Sequence, residues 1–257
     1  MFQHKKKYGQ NFLKNNSIAH QIVSGLNIYN KNILEIGPGN LALTKLILEK
    51  KPKKFLAIEI DEEIIKKHKN FEHNIDFINH NALEFDEIKN FNKLNFSIIS
   101  NLPFNISAEL LVKWIYLQNY NNCIDEMILM FQEELADRII SSENSKKYGR
   151  ITILANSIFD VKEHIYVNKS NFFPKPKVNA KVIKFTKLKV KKIKSENLLN
   201  LEKITKIFFN SRRKKIEKNI QKLFSNDDIK KNNFDRLFNL RPENLTKEIY
   251  YKMSEII

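Results

Sequence analysis

Short apolar runs rich in Ile and Phe recur along the first two-thirds of the chain, separated by longer stretches whose apolar positions return every three or four residues. The runs at 32–37, 55–60, 76–79, 96–100 and 126–131 predict buried strands, because a strand covered on both faces has no need of polar alternation. The segments 41–49, 62–70, 107–117 and 133–141 have helical length and spacing. Ser107, with Ala108 and Glu109 after it, is expected to cap the third of these helices. Such alternation predicts an α/β fold with a mainly parallel, doubly covered sheet. Segments 161–167 and 178–186 read as an antiparallel pair joined by a loop that carries Pro174 and Pro176.

The pattern changes after residue 187. Lys187-Leu188-Lys189-Val190-Lys191-Lys192-Ile193-Lys194 reads as a basic linker, and beyond it only helical stretches such as 198–210 and 214–224 stand out. Two domains are expected, a Rossmann-like one over 1–187 and a small all-helical one over 188–257. With 42% hydrophobic and 11% aromatic residues, a wholly disordered chain is excluded. The single cysteine, Cys123, rules out an intramolecular disulfide, and the scattered histidines suggest no metal site. No apolar run approaches the roughly 18 residues of a membrane span. Residues 1–7 are basic but lead into no apolar stretch, so the chain reads as cytoplasmic, with no membrane association. The formal charge of +16 needs discounting, since only six of the 45 basic residues are Arg and the Lys/Asn/Ile bias is that of A/T-rich coding. Even so, the excess favours a polyanionic partner, with nucleic acid foremost.

The sharpest local signal is Ile33-Leu34-Glu35-Ile36-Gly37-Pro38-Gly39-Asn40-Leu41-Ala42, a strand, a glycine turn and a helix start. Glycines let a ligand approach the backbone where a side chain would collide. Glu59, at the end of the next strand, is placed to accept hydrogen bonds from ribose hydroxyls, so a nucleoside-containing cofactor is expected. After the fourth strand comes Asn101-Leu102-Pro103-Phe104. It resembles the active-site loop of S-adenosylmethionine-dependent methyltransferases that act on the amino groups of bases. An adenine amine is a poor nucleophile because its lone pair is delocalised. The Asn101 side-chain oxygen and the Leu102 carbonyl can accept hydrogen bonds from its two N–H groups and aim the lone pair, with Pro103 stiffening the loop. Phe104 offers a face for an extruded base. Gly9-Gln10-Asn11-Phe12-Leu13 precedes the first helix, and Phe172-Phe173-Pro174-Lys175-Pro176-Lys177-Val178 puts an aromatic and two lysines on a stiffened loop suited to stacking and to holding phosphate.

Taken in chain order, the four motifs resemble the ribosomal RNA adenine dimethyltransferase family, and Asn210-Ser211-Arg212-Arg213-Lys214-Lys215 resembles that family's basic C-terminal helix. The resemblance implies that Asn11, Leu13, Gly37, Glu59, Asn81 and Asn101 bind S-adenosylmethionine. Asn101, Leu102, Phe104 and Phe172 would face the target base, and Arg212, Arg213, Lys214 and Lys215 the RNA. Asn81 stands where the family usually has Asp, a neutral acceptor that implies weaker cofactor binding. Phe104 replaces a common Tyr. Arg212-Arg213-Lys214 and Arg241-Pro242-Glu243-Asn244-Leu245 resemble the small-subunit branch. That branch implies dimethylation of two adjacent adenosines in the 3′-terminal hairpin loop of small-subunit rRNA within a precursor particle, by a monomer. Three rivals are an RNA-binding assembly factor with weak or lost methylation, a large-subunit rRNA methyltransferase, and a nicotinamide-dependent oxidoreductase. The last leaves Asn101–Phe104 and the Phe172 loop unexplained.

Overall fold

The computed structural model describes residues 11–68, 71 and 74–257. Gly9, Gln10, the basic residues 1–7 and the last two positions of the expected 62–70 helix lie outside the described residues. The chain divides into two compact units, one running through Ala136 and resuming at Val161–Lys187, the other comprising Asp137–Asp160 and Leu188–Ile257.

The first unit is built on strands β2 (Asn32–Ile36), β3 (Lys54–Glu59), β4 (Asp76–Asn79), β5 (Phe96–Asn101), β6 (Ile124–Gln132), β7 (Phe159–Val167) and β9 (Ala180–Lys187). They form one seven-stranded sheet in the order β4-β3-β2-β5-β6-β9-β7. β4, β3, β2, β5 and β6 run parallel, and β9 pairs antiparallel with β6. The central parallel strands are largely apolar because helices cover both faces, whereas the edge strand β4 is polar and exposed at both ends. Ile33, Leu34, Phe55, Leu56, Ile98 and Ile99 are all buried. Strand order reverses at β2, which lies between β3 and β5, so the carboxyl ends of these three open onto one crevice.

Helices begin where local chemistry ends the strands. α3 (Glu62–Lys67) is capped by Asp61, whose side chain accepts from the Glu63 N–H, with acids in its first turn and lysines in its last. α2 (Thr44–Glu49) starts three residues later than the spacing predicts. The reason is local: Leu41 sits in the left-handed region at φ 64°, so the segment 41–43 finishes the glycine turn before a helix can propagate. α5 (Ser107–Asn121) has Ile106, not Ser107, as its cap. The Ser107 hydroxyl is buried and donates to the Phe104 carbonyl instead, fastening the preceding loop to the helix. A two-residue strand β1 (Phe12–Leu13) pairs antiparallel with β8 (Phe172–Phe173) in a separate small sheet. Its brevity leaves no periodicity to read.

The second unit is helical. It gathers α7 (Arg150–Ile158), α8 (Leu198–Asn210), α9 (Glu217–Leu223), α10 (Asn226–Lys231) and α11 (Lys247–Ser254). Leu198, Leu201, Ile204 and Phe208 bury one face of α8, and Tyr250 Oη donates to the Pro242 carbonyl at 2.7 Å. The Tyr251 hydroxyl reaches the Ile153 carbonyl on α7 at 3.2 Å. The units do part at the expected 187/188, but the first domain is not continuous over 1–187, because residues 137–160 group with the C-terminal helices. The linker is also less free than its charge suggests: Ile193 is buried, and the Lys192 N–H donates to Ser157 O at 3.0 Å. Among the described residues, no helix is long and apolar enough to cross a membrane.

Candidate active site

At the carboxyl ends of β2, β3 and β5 lies a cleft open to solvent. Asn11, Leu13, Gly37, Glu59, Asn101 and Leu102, all singled out in the sequence, line it together. The turn after β2 uses two left-handed glycines, Gly37 at φ 67° and Gly39 at φ 51°. The Gly37 N–H donates to Ile58 O at 2.8 Å, and the Ser100 hydroxyl donates to Ile36 O at 2.6 Å, so the three strand ends are held in register. Gly39 is sterically obligatory: a Cβ there would lie 2.8 Å from Cδ1 of Phe12.

Glu59 closes β3 with its carboxylate buried, accepting from the Asp61 N–H at 3.0 Å. Burial pushes this carboxyl above the usual range, main-chain N–H groups of Asp61, Ile60 and Gly39 pull it back, and the neighbouring Asp61 charge raises it further. Two lining residues were missed in the sequence. Glu35 is the one acid in the otherwise apolar β2, and that anomaly was its signal. It accepts a 2.7 Å hydrogen bond from the Thr44 hydroxyl, and its pKa is raised to about 8, chiefly by burial, with the Thr44 bond opposing and the Glu59 charge adding. Ile60, 47% exposed, presents an apolar surface at the mouth of the cleft.

Asn101 ends β5. Its Nδ2 donates to the Asn11 carbonyl at 2.9 Å, which fixes the amide and turns Oδ1 into the acceptor. Leu102 is buried, and Phe104 meets Phe172 edge to face with ring centroids 6.4 Å apart. The assignment of Phe172 as a stacking surface is corrected by its burial. At 1% exposure it buttresses Phe104, while Phe173, next along β8, is 54% exposed. Alternation along a strand points adjacent side chains to opposite faces, and the inward one is Phe172.

Asn81 also differs from expectation. It lies outside the residues that line the cleft, and its side chain closes a local turn, with Oδ1 accepting from the Leu83 N–H at 3.1 Å and Nδ2 donating to Glu84 at 2.8 Å. In the helical unit, residues 211–215 form the turn between α8 and α9, not a helix. Arg212 is half-buried there. Its Nε donates to Glu243 at 2.6 Å and its Nη2 to Ser145 O at 3.1 Å, so both edges serve the fold. Arg213 and Lys214 are exposed, and exposed Lys215 donates to Asn239 at 2.7 Å. On the loop after β8, Lys175 and Lys177 are exposed. Among the described residues, no group of three His, Cys, Asp or Glu is placed to hold a metal ion.

Comparison with known proteins agrees over the full length. The family model described as ribosomal RNA adenine dimethylase matches residues 1–257. Ribosomal RNA small subunit methyltransferase A of Pelagibacter ubique (strain HTCC1062) is 41% identical over 251 residues, spanning 97% of this chain and 95% of the relative. The protein of the same description from Ehrlichia ruminantium (strain Gardel) is 39% identical over 251 residues, with 96% and 94% covered. Among solved structures, a dimethyladenosine transferase from Plasmodium falciparum is similar with a TM-score of 0.73 at 24% identity, over 94% of this chain and 95% of that one. The 23S rRNA methyltransferase ErmE is similar with a TM-score of 0.71 at 18% identity, over 95% and 98%. These two likenesses carry the fold.

Proposed function

Since the chain belongs to the ribosomal RNA adenine dimethylase family, we propose that it uses S-adenosylmethionine to dimethylate the exocyclic amines of two adjacent adenosines in the 3′-terminal hairpin loop of small-subunit rRNA. The observation that carries the reading is the anchored Asn101, its amide nitrogen spent on Asn11 and its oxygen left as an acceptor at the lip of the glycine-turn cleft. Two relatives described as small subunit methyltransferase A, at 41% and 39% identity, support that substrate.

The cleft suits the cofactor. Left-handed Gly37 and Gly39 permit close backbone approach, the buried Glu59 carboxylate offers acceptors for ribose hydroxyls, and Ile60 offers an apolar face for a purine. Asn11 and Leu13 complete its wall. Asn81, with Oδ1 already engaged, is at most a weak partner for the purine amine. When bound, S-adenosylmethionine supplies an electrophilic methyl group on a sulfonium whose charge is lost on transfer. Asn101 Oδ1 and the Leu102 carbonyl accept hydrogen bonds from the amine N–H groups and orient the nitrogen lone pair; as the N–C bond forms and the S–C bond breaks, the methylated nitrogen loses one proton to solvent. Phe104, braced by Phe172, holds the base plane. No general base is assigned, because transfer draws on positioning and charge neutralisation.

In this reading Arg213, Lys214 and Lys215 of the helical unit hold phosphates, together with Lys175 and Lys177. The protein works as a monomer in the cytoplasm on a precursor of the small subunit. The test is radiolabelled methyl transfer to unmethylated small ribosomal subunits, followed by nucleoside analysis. Dimethyladenosine at adjacent positions is expected. Cofactor binding with transfer only to large subunits would overturn the substrate, and RNA binding without any transfer would leave an assembly factor.

A further inference from the structure

Three separate loops carry the residues of the proposed reaction: the glycine turn 37–39, the segment 101–104 after β5, and the segment 171–173 that includes β8. One five-residue stretch, 11–15, is bonded to all of them. The Asn11 carbonyl accepts from Asn101 Nδ2 at 2.9 Å. The Phe12 ring lies against Gly39, and the Leu13 carbonyl accepts from Asn40 Nδ2 at 3.1 Å, so the glycine turn is held from both sides. Phe12 and Leu13 pair with Phe173 and Phe172, and the Lys14 N–H donates to Asn171 O at 2.9 Å. Asn15 Nδ2 donates to Asn171 Oδ1 at 2.8 Å, and Asn15 Oδ1 caps α1 (Asn16–Ser24) by accepting from the Ile18 N–H. The ring of contacts closes where Phe172 meets Phe104.

We propose that residues 11–15 act as a strap that couples occupation of the cofactor cleft to seating of the target base, with Asn171 as its positioning residue. The inference rests on the reading given under Proposed function. A ligand lying against Gly37, Gly39 and Asn101 restricts the strap at one end. The strap is paired to β8 by main-chain bonds and held in place on it by the Asn15–Asn171 side-chain bond, so with that bond made the same restriction orders Phe172 and Phe173, and the second ligand then meets a loop already arranged. Linkage requires the effect to run equally in both directions.

Asn171 isolates this role. It lies outside the cleft lining, and its Nδ2 donates to the Asn168 carbonyl at 3.0 Å, which aims Oδ1 at Asn15. Asn171→Leu removes the acceptor, whereas Asn171→Asp keeps an acceptor facing Asn15. Full-length protein is titrated with unmethylated small ribosomal subunits, with and without saturating S-adenosylhomocysteine, and the ratio of the two dissociation constants is the readout. The wild type is expected to bind subunits at least about 5-fold more tightly with the cofactor product present, within the usual range of such couplings. In Asn171→Leu the ratio falls to about one while cofactor affinity without RNA stays within about twofold, and in Asn171→Asp most of the ratio returns. Asn171→Ala replaces the Leu variant if circular dichroism shows misfolding. A wild-type ratio of one in protein that transfers methyl groups overturns the strap and leaves the function standing. An unchanged ratio in the Leu or Ala variant overturns it too, even if both affinities drop in parallel. Absence of methyl transfer by the wild type overturns the function itself.

Discussion

Replacing either glycine of the turn by alanine tests whether the geometry there is steric or merely conformational. Both residues have positive φ, 67° at Gly37 and 51° at Gly39, and any side chain in that region costs about 1–2 kcal/mol. Their surroundings differ. A Cβ on Gly37 would find its nearest neighbours, Pro103 Cγ and Cδ, at 3.7 and 3.8 Å, an ordinary contact. On Gly39 it would stand 2.8 and 2.9 Å from Cδ1 and Cε1 of Phe12. Phe12 is buried and strand-paired with Phe173, so its ring cannot yield without loosening β1. Overpacking of this kind adds about 1–3 kcal/mol. Gly37→Ala should therefore destabilise by about 1–2 kcal/mol and Gly39→Ala by about 2–5 kcal/mol. In a unit of this size that means melting shifts of roughly 2–8 °C and 4–20 °C. Differential scanning calorimetry of the first transition measures both, and a double-mutant cycle with Phe12→Ala isolates the clash. Equal shifts for the two glycines, or a Gly39→Ala cost that Phe12→Ala leaves untouched, would refute the steric argument.

Other expectations follow from the same geometry. Asn101→Ala should abolish methyl transfer while RNA binding, by filter retention, stays near wild type; parallel loss of both would remove its assigned role. Glu35, with its carboxyl lifted to about 8, binds a proton more tightly folded than unfolded. The free protein should thus lose stability as pH rises from about 4.5 to 8, and Glu35→Gln should flatten that slope in melts across the range; a wild-type curve with no slope would contradict it. Arg212→Ala, which strands Glu243 and Ser145 O, should cost roughly 1–2 kcal/mol of stability. Arg213→Ala should leave melting unchanged but flatten the salt dependence of RNA binding, and the reverse pattern would restore Arg212 as the RNA contact.

What the sequence made legible was what is local and apolar. The core strands stand out because Ile33–Ile36 and Phe96–Ile99 lie buried on both faces, and Gly37, Gly39 and Glu59 announce the cleft through spacing alone. What it concealed depends on partners distant along the chain. The resemblance of 210–215 to a basic helix assigns Arg212 to RNA, and its actual partner, Glu243, lies 31 residues away. Phe172 and Phe173 are chemically alike, and only the pairing with Phe12 and Leu13 decides which one faces inward. The α11 helix is hidden because Lys and Tyr blur the apolar stripe that Tyr250 and Met253 form once folded, and α7 because its nine-residue run of Ile, Thr and Leu reads as easily as a strand as a helix.

The discontinuity of the helical unit has a consequence for synthesis. Its first portion, residues 137–160, leaves the ribosome well before residues 188–257 that complete its core. During that interval the apolar side chains of α7, Ile153 and Leu154 among them, await α8 and α11. The N-terminal unit can begin to condense as it emerges, but its own sheet waits for β9, the antiparallel strand between β6 and β7. The two units are thus interleaved in time, and a stop codon placed at the linker would release a sheet complete in its strands yet carrying an orphaned helix. Such a product should be an aggregating species, and a minimal catalytic fragment would have to excise the helical stretch that ends at Ile158 as well as everything after Lys187.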